Sequence, residues 1–196
     1  MLTYYETHLT VELNNNSMED FRKVCEIIDA KAIVINLKET KQVMTAKTVK
    51  SILNDVYEQA KQDVIVLEEN GFKVVRVKIE TDKVSKETKY SYAEIHLLCH
   101  TRKLIEYPNI LNELPLFDSE GNQIKGHISR NEFKPNVTFI TWRSKFIEDF
   151  NYFHSVHGGL LELGVLLNPL DKIELEIAVY DSNEGLDNTW IHGEIV

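Results

Sequence analysis

Tyr4-Tyr5-Glu6-Thr7-His8-Leu9 returns 88 positions later as Tyr92-Ala93-Glu94-Ile95-His96-Leu97, with four identities in six. On a strand, side chains two apart share a face, so Glu6, His8 and Thr10 point together, and Glu94 and His96 do likewise. An imidazole titrates close to neutral pH, and a carboxylate beside it raises its pKa, so such pairs suit proton transfer. If the two strands are neighbours or are related by pseudo-symmetry, two imidazoles and two carboxylates meet on one surface. Charged groups are expensive to bury, so that meeting implies work for them to do. The plainer alternative is that each Glu-x-His lies on an edge or solvent face and makes cross-strand ion pairs.

His8-Leu9-Thr10-Val11 is also an H-x-[ST] motif. With a second histidine strand further on, residues 1–100 or so resemble the two-histidine phosphoesterases. The resemblance implies a bilobal sheet and a metal-independent phosphodiesterase acting on a nucleotide or RNA-derived phosphodiester, linear or cyclic. His8 and His96 would be the catalytic acid/base pair, Thr10 would hold phosphate, and neither cofactor nor metal is implied. Glu6 and Glu94 would tune the imidazoles and line the substrate site. The second motif departs from the family's pattern at Leu98, where a hydroxyl residue is expected. Two other readings stand beside this one: a non-catalytic binding or accessory protein with a degenerate site, and a metal-dependent hydrolase built on the Glu-x-His pairs. A second similarity, to uncharacterised bacterial proteins with paired Glu-x-His strands, covers His127–Asn131, Thr141–Arg143 and Val179–Asn183, and implies a shared fold without an activity.

His127-Ile128-Ser129 is another H-x-S, with Arg130 next to it as a phosphate-pairing guanidinium. His127, Ser129, Arg130 and Arg76 are therefore candidate substrate-binding residues. Arg76 and Lys78 share a strand face, which is either a phosphate-neutralising surface or a solvated one, and Arg143 is a similar case. His154 and His157 form H-x-x-H beside Phe150 and Phe153, a spacing that can bind metal or sit in a helix face. No phosphate-binding loop, dinucleotide fingerprint or serine-hydrolase elbow is present.

The elements that carry these residues follow from periodicity. Thr3–Leu13 reads as a strand, and Ser17 with Asp20 as a capping box opening a helix. Ala32–Leu37 is a short buried strand. Val49, Ile52, Leu53, Val56, Ala60 and Leu67 mark a long helix stopped at Asn70-Gly71. Phe72–Glu80 and Tyr90–His100 alternate as strands. Val137–Trp142, Ser144–Gly164 and Ile173–Tyr180 read as strand, helix and strand. The expected fold is α+β: one domain over residues 1–196, with a duplicated helix-on-antiparallel-sheet core (ferredoxin-like lobes) over 1–104 and a strand–helix–strand extension over 105–196.

A chain of 196 residues, 43% hydrophobic and 27% charged, can bury a core of its own. Its formal charge of −9 argues against extended nucleic-acid binding and leaves room for a local pocket taking a small nucleotide or phosphodiester. Apolar runs are too short for a membrane span, and no secretory leader opens the chain, so a cytoplasmic protein is expected. Cys25 and Cys99 lie in apolar-periodic segments and read as reduced, buried residues. The oligomeric state stays open.

Overall fold

The computed structural model describes residues 2–37, 41–83, 88–106, 116–117, 120–145 and 173–187. His154 and His157, the helix expected over 144–164 beyond its first residues, and the chain's end fall outside them.

β1 (Thr3–Glu12) turns Thr7, Leu9 and Val11 to one side and Glu6, His8 and Thr10 to the other. α1 (Met18–Ile27) opens on the expected capping box: the Asp20 N–H donates to Ser17 Oγ at 3.1 Å, and the Ser17 N–H donates back to Asp20 Oδ2. β2 (Lys31–Asn36) follows, then β3 (Lys41–Ser51) and α2 (Leu53–Glu69). That helix ends at Gly71, whose φ of +84° is a left-handed conformation glycine adopts without strain. β4 (Lys73–Thr81) and β5 (Tyr92–His100) precede a short helix, α3 (Thr101–Glu106). β6 (Leu116–Phe117) pairs with β7 (Gln123–Ile124). β8 (Gly126–Asn131), β9 (Val137–Ser144) and β10 (Ile173–Asp181) complete the sheet, and a 3-10 turn covers Glu184–Asp187.

Eight strands close a barrel in the order β1-β3-β2-β8-β9-β5-β10-β4, each antiparallel to its neighbours. This corrects the expected open helix-on-sheet core. β5 does not finish a first lobe. It begins a second set of four strands, and residues 105–196, expected as an extension, supply three of the barrel's staves. β1–β4 run in the order β4-β1-β3-β2, and β5, β8, β9 and β10 run as β10-β5-β9-β8, the same path taken twice. The long helix expected from Val49 begins only at Leu53, because Val49 to Ser51 end β3, a strand the periodicity does not predict.

The two halves meet at two seams, and their registers agree with one pseudo-twofold axis. Glu6 stands opposite Glu80 in the first half, as Glu94 stands opposite Glu176 in the second. Carrying that equivalence along β4 and β10 makes Thr81 the counterpart of Ile177, and these two face each other across the β4–β10 seam. The ladders β1-β3-β2 and β5-β9-β8 likewise make Ile35 the counterpart of Asn131, and these pair across the β2–β8 seam. A self-matching seam of this kind is what a twofold requires.

Among the described residues an apolar core lies outside the first half-barrel, under the helices. Phe21, Val24 and Cys25 of α1 and Leu67 of α2 pack on Leu9, Val11, Val34 and Val43, with Phe72 meeting Phe21 edge-on at 5.4 Å. Both cysteines are free and buried, and burial pushes each thiol up to about 12. No helix among the described residues is long and apolar enough to cross a membrane. With Leu9, Val11, Val34 and Val43 turned outward beneath α1 and α2, the alternate positions of their strands are left facing the lumen.

Candidate functional site in the barrel lumen

The lumen encloses a cavity of about 510 Å³, a volume suited to a small organic ligand. Its lining divides into two zones. Ile33, Ile35, Met44, Leu98, Phe133 and Phe139 make an apolar surface on the β2–β3–β8–β9 side, with Lys31 and Lys134 exposed at the rim. Glu6, His8, Arg76, Lys78, Glu94, His96, Arg143, Glu174 and Glu176 make a charged surface.

The charged zone is organised by the repeat. His8 Nε2 lies 3.3 Å from Glu80 and 3.8 Å from Glu6. His96 Nε2 lies 3.0 Å from Glu176 and 3.6 Å from Glu94. Each half therefore carries one imidazole between two carboxylates, one from its own strand and one from the fourth strand of the half. The contacts on Nε2 are ion pairs rather than aligned hydrogen bonds.

The other ring nitrogens are hydrogen-bonded as well. His8 Nδ1 lies 3.1 Å from the Thr45 carbonyl, which can only accept, so Nδ1 carries a proton. A neutral ring would then aim its Nε2 lone pair at Glu80, which is repulsive, so the ring is an imidazolium. In the second half the position equivalent to Ala46 is Thr141, and its Oγ1 takes His96 Nδ1 at 2.8 Å. Burial pulls the His96 pKa down, but Glu176 and Glu94 outweigh it and push the ring up to about 10. His8 is raised too, burial again being outweighed by Glu80. Burial favours the neutral acid at Glu80, yet Lys78 and His8 hold its carboxyl down to about 2.

Three cations, Arg76 buried and Lys78 and Arg143 half-buried, bind the network together. Arg76 holds Asp181 through Nε at 3.0 Å, touches Asp187 at 2.8 Å, and donates to Tyr92 Oη at 2.9 Å. Asp181 reaches the lumen because a bulge between Ala178 and Tyr180 resets the alternation of β10. Tyr180 is thereby left outside, where its ring meets Tyr57 of α2 at 5.2 Å. Arg143 donates to Glu94 at 2.7 Å and to Asp187 at 2.6 Å. Lys78 Nζ bridges Glu80 at 2.7 Å and Glu94 at 3.3 Å. The less buried carboxylates of the lining are Glu6, Glu174 and Glu176, of which the Glu6 and Glu176 side chains are 42% and 24% exposed.

Of the residues expected from sequence, Glu6, His8, Thr10, Arg76, Glu94, His96 and Ser129 all line this one cavity. His127 is buried on the same strand face as Ser129, opposite Thr141. Arg130 points the other way and is exposed. Sequence reasoning missed Glu80, Glu176, Asp181 and Asp187. The signal for the first two was present: Glu80 and Glu176 alternate with Ile79, Leu175 and Ile177, so their strands carry charge on one face and apolar residues on the other.

The geometry overturns the phosphodiesterase reading. Each imidazole sits between two carboxylates, which raise its pKa and disfavour the neutral form that a general base must offer. A phosphodiester placed between them would meet Glu6, Glu80, Glu94 and Glu176, and Arg76, Lys78 and Arg143 are already neutralised by carboxylates. The barrel also lacks the open bilobal sheet that the resemblance implied.

Glu94, His96 and Glu176 could together offer a metal ion three ligand atoms, all within 4.8 Å of one another. Glu94 would share such an ion with Lys78 and Arg143, which already contact its two oxygens.

No family model and no curated protein matches the chain. Among solved structures it is similar to a candidate monooxygenase from Fusobacterium nucleatum subsp. nucleatum, at 9% identity over 94% of this chain and 95% of that one, with a TM-score of 0.36. It is also similar to a dye-decolorizing protein from V. cholerae, at 6% identity over 89% and 93%, TM-score 0.29. An anthrone oxidase-like protein matches at 7% identity over 92% of each chain, TM-score 0.30. None of these three is a two-histidine phosphoesterase, and likenesses this distant bear on neither activity nor ligand.

Proposed function

We propose that this protein binds a small organic cation, an amine with an apolar or aromatic body, inside its barrel. One observation carries the reading. Arg76, Lys78 and Arg143 already have carboxylate partners, while Glu6 and Glu176 present partly exposed carboxylates to the cavity. An ammonium group completes that arrangement, and a carboxylate or phosphate opposes it. The apolar zone of Ile33, Ile35, Met44, Leu98 and Phe139 then receives the body of the ligand.

The test is calorimetric titration with three ligands of one shape: 3-phenylpropylamine, 3-phenylpropanol and 3-phenylpropionate. The expected order is amine over alcohol over acid, with about tenfold or more between amine and alcohol, equivalent to about 1.4 kcal/mol. Equal affinities, or preference for the acid, would remove the reading.

A further inference from the structure

The pseudo-twofold gives the amine a specific place. Lys78 stands one step along β4 from Glu80, opposite His8, and its ammonium bridges Glu80 and Glu94. In the second half the position equivalent to Lys78 is Glu174, opposite His96 on β10. The twofold carries Glu80 onto Glu176 and Glu94 onto Glu6. The counterpart of the Lys78 ammonium position thus lies between Glu176 and Glu6, and the chain supplies an acid there instead of a lysine.

From this, and resting on the organic-cation reading above, we infer that the ligand's ammonium seats between Glu6 and Glu176, and that Lys78 is the specificity residue that limits the ligand to one amine. Lys78 occupies the first carboxylate pair as a built-in ammonium. The second pair takes the same group from outside. Two features separate this place from a chance cluster of acids. A cation of the same chemistry already sits on the symmetry-equivalent carboxylates. Glu6 lacks the arginine that secures its counterpart Glu94, because the position equivalent to Arg143 is Thr48, opposite Glu6 on β3.

Two variants test the assignment, with 3-phenylpropylamine as monoamine probe and p-xylylenediamine as diamine. Glu174→Lys changes an exposed side chain and installs the second internal ammonium. It should weaken monoamine binding by tenfold or more and leave 3-phenylpropanol binding unchanged. Lys78→Gln opens the first carboxylate pair and should raise diamine affinity over monoamine by tenfold or more, a preference the wild type does not show. Circular dichroism confirms that each variant is folded. Should Lys78→Gln fail to fold, the outcome of Glu174→Lys decides alone. Monoamine binding that survives Glu174→Lys overturns the placement while leaving the organic-cation reading intact. Absence of monoamine binding to the wild type defeats both.

Discussion

The Arg76 guanidinium grips the Asp181 carboxylate with two nitrogens across the seam between β4 and β10, Nε at 3.0 Å from Oδ1 and Nη2 at 2.5 Å from Oδ2. One partner comes from the first half-barrel and the other from the second. The pair is nearly sealed from water, and Tyr92 closes it by donating to Asp181 Oδ2 at 2.6 Å. The barrel is thereby fastened from within at the seam where its two halves meet.

Removing Arg76 leaves Asp181 and Asp187 buried without that countercharge. Arg76→Ala is expected to destabilise the fold by about 3–5 kcal/mol, as breaking one side of a buried ion pair does. Arg76→Lys keeps the charge and loses the fork, so it should still cost a substantial part of that. Chemical denaturation of the three proteins checks the ranking, and a Lys variant as stable as wild type would contradict it.

The titrating groups set a pH window for stability. The His96 pKa is raised to about 10 from 6.5, so its contribution is complete below pH 6.5 and is lost as pH rises toward 10. The Glu80 pKa is lowered to about 2 from 4.5, so its contribution is complete above pH 4.5 and is lost as pH falls toward 2. Stability should therefore be greatest between about pH 4.5 and 6.5. His96→Gln should flatten the alkaline fall and leave the acid one. An alkaline limb identical in that variant would show that His96 is not its source.

Gly126 begins β8 against the buried Trp142 ring, and a Cβ added there would fall 2.8 Å from Trp142 Nε1. Trp142 is 1% exposed and has no open side to move into. Gly126→Ala is expected to destabilise by about 1–3 kcal/mol through overpacking, measured by thermal melting. An unchanged melting temperature would mean the ring relocates freely.

How far the sequence could be read depended on which face of each strand carried the signal. Glu6, His8 and Thr10, with Glu94 and His96, were legible as one-sided sets because β1 and β5 alternate cleanly. The Ser17–Asp20 cap and the Gly71 stop were legible because they are local. β3 was not, since its outward face includes Lys47, satisfied by Asp63 of α2 at 2.9 Å, and its inward face mixes Gln42, Met44, Ala46 and Thr48. Closure of the barrel rests on Ile35 meeting Asn131 and Thr81 meeting Ile177, partners too distant in sequence for any periodicity to announce. Asp181 escaped notice because the bulge before it reverses the alternation. The imidazoles looked like an acid/base pair because the sequence shows one carboxylate beside each. The second carboxylate, which raises each ring's pKa further, comes from another strand.

The most direct measurement is calorimetric titration of 3-phenylpropylamine into wild type and into the Glu6→Gln/Glu176→Gln double variant, with 3-phenylpropanol as the uncharged control. Both substitutions are isosteric and fall on partly exposed side chains, so the barrel should persist. The predicted result is amine binding to wild type that weakens by tenfold or more in the variant, with alcohol binding the same in both. Amine affinity equal in the two proteins would contradict a lumen that recognises an organic cation through Glu6 and Glu176.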